Sequence, residues 1–131
     1  MERRVINPWT WQDQYGFAQA IEVTGSERAL FCAGQTSSDA DGNPLHAGDM
    51  RAQLGQALDN LETVLREAGF DLSHVVRLNT YTTDVDAFLE AGEATAARLA
   101  AAGCRPSATL LGVARLAFPE FLVELEATAV A

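Results

Sequence analysis

From Asp49 to Gly69 the apolar residues Met50, Leu54, Ala57, Leu58, Leu61, Val64, Leu65 and Ala68 recur at helical spacing, so the segment predicts a helix with one dry face. Asp49 offers a side-chain oxygen to the first free backbone N–H groups, and Gly69 suits the left-handed residue that stops a helix. Such a helix needs an apolar surface of similar length to lie on. The flanking sequence supplies strands. Val75 to Thr82 is β-branched and aromatic, Ala29 to Ala33 is apolar, and Arg3 to Asn7, Gly16 to Val23, Ala108 to Leu116 and Phe121 to Val130 read as four more. In the last of these, Val123, Leu125, Ala127 and Ala129 point one way, while Leu122, Glu124, Glu126 and Thr128 point the other.

Thr24-Gly-Ser-Glu27 reads as a hairpin turn between the second and third strands, and Gly34 to Gly48 as a loop. Asp84 or Asp86 caps a second helix that carries Phe88, Leu89, Ala96, Leu99 and Ala100 and ends at Gly103. The order is β-β-β-α-β-α-β-β, with no internal repeat or linker. At 131 residues, this predicts one α+β domain over 1–131, a six-stranded mixed sheet with two helices on one face. Two helices cover one face only. The other face is expected to be covered by further copies of the chain.

Composition removes several kinds of chemistry. The formal charge is −9, and all nine basic residues are Arg. Without lysine there is no Schiff-base catalysis through a lysine amine, no pyridoxal phosphate chemistry and no P-loop. An acidic chain with no basic block is a poor nucleic-acid binder, which also argues against a nuclease. No apolar run approaches the ~20 residues of a membrane span, and Met1-Glu-Arg-Arg4 leads into no signal-peptide core, so no membrane partner and a cytoplasmic location are expected. Cys32 and Cys104 are two isolated thiols among small and apolar neighbours, read as packing residues. His46 and His74 lack a second ligand at useful spacing, and the Asp39–Gly42 turn carries too little of a calcium loop, so no metal is expected.

Several strings, in this order and spacing, carry a resemblance over nearly the whole chain. They are Tyr15-Gly-Phe-Ala-Gln-Ala20, Phe31-Cys-Ala-Gly-Gln35, Gly48-Asp49, Gln53 with Gln56-Ala-Leu-Asp-Asn-Leu61, and Ala68-Gly69. After them come Val75-Val76, Tyr81-Thr-Thr-Asp84, Phe88, Val113-Ala-Arg-Leu116 and Val123-Glu-Leu-Glu-Ala127. Together they resemble the RidA/YjgF family, the reactive-intermediate deaminases. The resemblance implies a chorismate-mutase-like fold, a homotrimer built around a central barrel, and ligand clefts between subunits. It also implies hydrolysis of a 2-imino acid, in equilibrium with its enamine, to a 2-oxo acid and ammonia. No cofactor is needed.

The resemblance also assigns roles by position. Glu124 matches the first Glu of the closing Glu-x-Glu, associated with positioning or activating water, the work of general acid–base catalysis by a carboxylate in a partly desolvated cleft. Glu124 and Glu126 lie ~7 Å apart on one strand face, and the family pattern turns only the first into the cleft. The family's substrate-carboxylate Arg falls at Ala108, within Pro106-Ser-Ala-Thr109. An alanine cannot grip a carboxylate, so the expected substrate is larger or less charged than a simple 2-imino acid. Arg105 enters the cleft only if the chain bends at Pro106, and Arg115 lies at the far end of the same predicted strand. Phe17 takes the place of a family Tyr, with a hydroxyl moved to Tyr15, and Gly92 that of an Asn. Leu110 keeps only the backbone carbonyl that helps to hold water. Thr109, Tyr81 and Phe88 complete the candidate lining, which is expected to be more apolar than a deaminase cleft. The expected reaction is hydrolytic deamination or a redirected acid–base reaction on a related reactive carbonyl intermediate, with Glu124 as acid–base group; the alternative is a non-catalytic trimer that binds a small apolar metabolite in the same clefts.

Overall fold

The computed structural model describes residues 1–131. Six strands form: β1 (Glu2–Ile6), β2 (Ala20–Thr24), β3 (Ala29–Phe31), β4 (Val75–Thr82), β5 (Ser107–Gly112) and β6 (Val123–Val130). Three helices accompany them: α1 (Met50–Glu67), α2 (Val85–Ala91) and α3 (Glu93–Ala101). Short 3₁₀ turns run over Trp11–Tyr15 and Leu72–His74. No helix is long and apolar enough to cross a membrane.

The six strands make two sheets rather than the single one expected. A four-stranded sheet runs β3-β6-β4-β5, antiparallel except for the parallel β4–β5 pair, and β1 and β2 form a separate antiparallel ribbon. One parallel bridge, Ala18 to Ser107, joins the ribbon to the edge at β5, with the Ala18 N–H donating to the Pro106 carbonyl at 2.9 Å. The turn at Gly25 is therefore not a hairpin between β2 and β3. It carries the chain from one sheet to the other, because β3 finds its partner in β6 and the N–H groups of Glu27 and Arg28 donate to the Ala131 carbonyl.

The first helix follows the sequence closely. The Asp49 side chain accepts from the Ala52 N–H, and Gly69 turns left-handed at φ 77°. The N–H groups of Phe70 and Gly69 return to the carbonyls of Leu65 and Arg66, closing a Schellman motif. Leu54, Leu58, Leu61 and Leu65 are completely buried, each worth about 1.5–3 kcal/mol of apolar burial. Leu58, Leu61 and Leu65 pack with Leu78, Leu125, Ala127 and Ala129, and with Cys32 and Cys104 in the same core, while Leu54 joins Met50, Ala91 and Val123 in a smaller cluster. Burial pushes the Cys104 thiol up to about 11, in keeping with a packing role.

The predicted second helix breaks in two. Asp84 caps α2 through the Ala87 N–H, but Gly92 holds ψ at −8°, short of a helical value, and α3 starts afresh. Gly92 is the weakest helix former in the segment, and a Cβ there would stand 3.1 Å from the Phe88 carbonyl oxygen. The last two strands are also shorter than expected, and Val113 to Leu122 forms a loop between them.

That loop is tied to α1 by Gln53, which is fully buried. Its Nε2 donates to the carbonyls of Glu120 (2.8 Å) and His46 (3.2 Å), and its Oε1 accepts from the Leu122 N–H (2.8 Å). Gln53→Ala strands three backbone groups, and we expect a loss of about 2–4 kcal/mol in unfolding free energy by urea titration.

Candidate functional site

The β4–β6 register places Tyr81 opposite Glu124 and Asn79 opposite Glu126. Leu78, Thr80 and Thr82 face α1 with Leu125 and Val123, so the two carboxylates and the two β4 side chains emerge together on the sheet's helix-free face. A cavity of about 210 Å³ opens there, lined by Gly34, Tyr81, Val113, Arg115, Leu116, Glu124 and Glu126.

The two carboxylates are held differently. Glu126 Oε1 accepts from Asn79 Nδ2 at 3.0 Å and from Tyr81 Oη at 2.8 Å. Those bonds, Asn79 first, hold the Glu126 carboxyl below the usual carboxylate range, while the bond to Glu126 pushes the Tyr81 phenol up. Glu124 receives no such bond and lies instead against the backbone of Gly34. A Cβ on residue 34 would come within 2.6 Å of Glu124 Cδ and 2.9 Å of Cγ. Only glycine leaves this carboxylate where it stands.

The cavity gathers some of the expected residues and leaves others elsewhere. Tyr81 and Glu124 line it. Thr109 is on the same face one strand further out, where its Oγ1 accepts from Arg77 at 3.1 Å. Ala108 pairs with Leu78 and Leu110 with Thr80, so both leave β5 on the opposite, helix-bearing face. Phe88 packs beside Met50, Leu54, Ala91 and Val123 under α2, and Gly92 is the break between α2 and α3. Arg105 is paired with Asp13 of the first 3₁₀ turn. Tyr15 and Phe17 form an edge-on aromatic cluster with Trp11, at 6.5 and 5.8 Å between ring centroids.

Five lining residues, Gly34, Val113, Arg115, Leu116 and Glu126, lie outside the site expected from the sequence, and three of them bear on its chemistry. Gly34 carried a signal, a glycine within Phe31-Cys-Ala-Gly-Gln35, but its purpose depends on a contact with β6. Glu126 was expected to face away from the cleft, and it lines the cavity as a hydrogen-bonded partner of Tyr81. Arg115 was read at the end of a strand that in fact stops at Gly112, and the loop swings its side chain beside Glu124. Arg115, two carboxylates and a phenol make this cavity of the single chain polar.

The family model described as Endoribonuclease L-PSP matches residues 13–131. The chain belongs to the RidA/YjgF family. Among solved structures, a conserved Rid-family protein of unknown function from Yersinia pestis is 40% identical over the full length of both chains, with a TM-score of 0.88. A RutC family protein of Pyrococcus horikoshii is 30% identical over 113 residues, 86% of this chain and 85% of its own. The human 2-iminobutanoate/2-iminopropanoate deaminase is 30% identical over 87 residues, 66% of this chain and 61% of the human one. The α+β architecture of this RidA/YjgF chain matches that of its structural relatives.

The Glu126 pair has a pH signature. A lowered folded-state value means its contribution to stability is complete above the ordinary carboxylate range and is lost as pH falls through that lowered value. Followed by carbon NMR, the Glu126 carboxyl should titrate below an ordinary Glu. In Tyr81→Phe it should move upward, though not fully, because Asn79 still donates.

Proposed function

We propose that this chain hydrolyses imines, or the enamines in equilibrium with them, with Glu124 as the acid–base group. The observation that carries this reading is the contrast between the two cavity carboxylates. Glu126 is engaged by Asn79 and Tyr81, whereas Glu124 is free of hydrogen bonds and lodged against Gly34. A carboxylate without internal partners is available to take a proton from water. As water adds to the imine carbon, Glu124 accepts one of its protons and passes it to the nitrogen. Glu124 then takes the hydroxyl proton of the tetrahedral carbinolamine and delivers it to the nitrogen, so that the carbonyl forms as ammonia departs with the C–N electron pair. Imine and water become carbonyl and ammonia, with no redox change. The human relative named as an imine deaminase supports the reaction class.

The same proposal includes the trimer. Tyr15, Phe17 and their aromatic cluster lie off the cavity of their own chain, and they join a cleft only if a neighbouring copy presents them there. Light scattering is expected to give three times the mass of one chain.

Glu124→Gln should lower ammonia release from an imine by roughly 10²-fold or more while leaving the melting temperature close to wild type. Gly34→Ala should fold, since φ there is ordinary, and should lower turnover about tenfold by pushing the carboxylate aside. Undiminished turnover in Glu124→Gln would remove the reading.

A further inference from the structure

We propose that Arg115 is the carboxylate-binding residue of this cavity, so the chain takes imines that carry a carboxylate on the imine carbon even though position 108 is alanine. The inference deepens the imine reading and rests on it for the identity of the substrate.

Three observations carry it. First, Arg115 is the one cationic side chain among the residues lining the Glu124 cavity. Arg77 lies further out on the same face, where its charge reaches Tyr81 and Glu126, but it is bonded to Thr109 and is not among the lining residues. Second, the Arg115 guanidinium is unspent. Arg3, Arg4, Arg28, Arg77, Arg98 and Arg105 all bond to protein acceptors. Arg115 forms neither a hydrogen bond nor an ion pair, although it shares the cavity with Glu124 and Glu126. The other two uncommitted arginines, Arg51 and Arg66, are exposed on α1 and away from this cavity. Third, the side chain at 108 leaves β5 on the face opposite to Glu124 within the protomer, whereas the loop after β5 returns Arg115 to Glu124's own face.

Charge sets the ligand class. A neutral apolar ligand would strip water from a guanidinium and a carboxylate while pairing neither, which is costly. A monocarboxylate with no cationic group for Glu124 would satisfy Arg115 alone and bind the more weakly. The complementary molecule bears a carboxylate for the Arg115 fork and an adjacent protonated nitrogen for Glu124, as an iminium acid does. At ~30 Å³ per water, the cavity holds about seven waters, room for a small acid of this kind. Hydrolysis stays balanced: the iminium acid and water become a 2-oxo acid and ammonium.

Binding of the stable product analogue pyruvate tests the anchor apart from turnover. Pyruvate and its uncharged methyl ester are titrated by NMR at low salt into wild type, Arg115→Gln, Arg115→Lys and, as a matched charge control, Arg66→Gln. We expect pyruvate to bind wild type and Arg66→Gln alike and Arg115→Gln roughly ten- to a hundredfold more weakly, with partial recovery in Arg115→Lys. The ester should not distinguish the variants. Equal pyruvate affinity in wild type and Arg115→Gln, or no pyruvate binding by wild type at up to roughly 50 mM, well above a millimolar dissociation constant, overturns the inference. Pyruvate binding that depends on Arg115 in a protein that releases no ammonia upholds the anchor and sinks the deaminase reading instead.

Discussion

The antiparallel register of β6 on β4 is the constraint from which both the core and the cavity follow. Leu125 opposite Thr80 and Ala127 opposite Leu78 turn one face toward the leucines of α1, and that same pairing turns Glu124 and Glu126 toward Tyr81 and Asn79. A slip of one residue would drive two carboxylates into the leucine layer and expose the apolar set. The burial that stabilises the domain thus also holds the polar face in place. Gln53 adds to this by pinning Leu122, just before β6, to α1.

On the open face, two carboxylates of the same strand acquire different chemistry from their neighbours alone. Asn79 and Tyr81 donate to Glu126 and favour its charged form. Glu124 meets the backbone of Gly34 and retains its hydrogen-bonding capacity. Such a division between an engaged and an available carboxylate is a recurrent way for one site to supply both positioning and proton transfer. The methyl group missing from Gly34 is part of the site in the same sense as a side chain.

The loop from Val113 to Leu122 shows how a short change in strand length redistributes function. β5 ends at Gly112, and the residues that follow contribute Val113, Arg115 and Leu116 to the cavity lining. Arg105, three residues before Ala108, is engaged by Asp13 of the first 3₁₀ turn. Of two arginines that flank β5, one is neutralised and the other stands free beside Glu124.

Local chemistry made much of this protein legible in advance. The cap at Asp49, the left-handed Gly69 and the apolar stripe between them specify α1 through interactions within about twenty residues, and the alternation of Val123 to Val130 specifies which side chains share a face. The break at Gly92 and the crossing at Gly25 were not legible, because each depends on competition: strong caps at Asp84 against a weak helix former, and β6 against β2 as partner for β3. The site divides in the same way. Residue order alone put Glu124 and Glu126 on one face and Tyr81 within a strand. Only the tertiary structure decided that Gly34 would touch Glu124, that Tyr81 would engage Glu126 and that Arg115 would join them. These contacts link residues far apart in the chain, and a side chain's pairing there is set by register and loop path, which no local preference encodes.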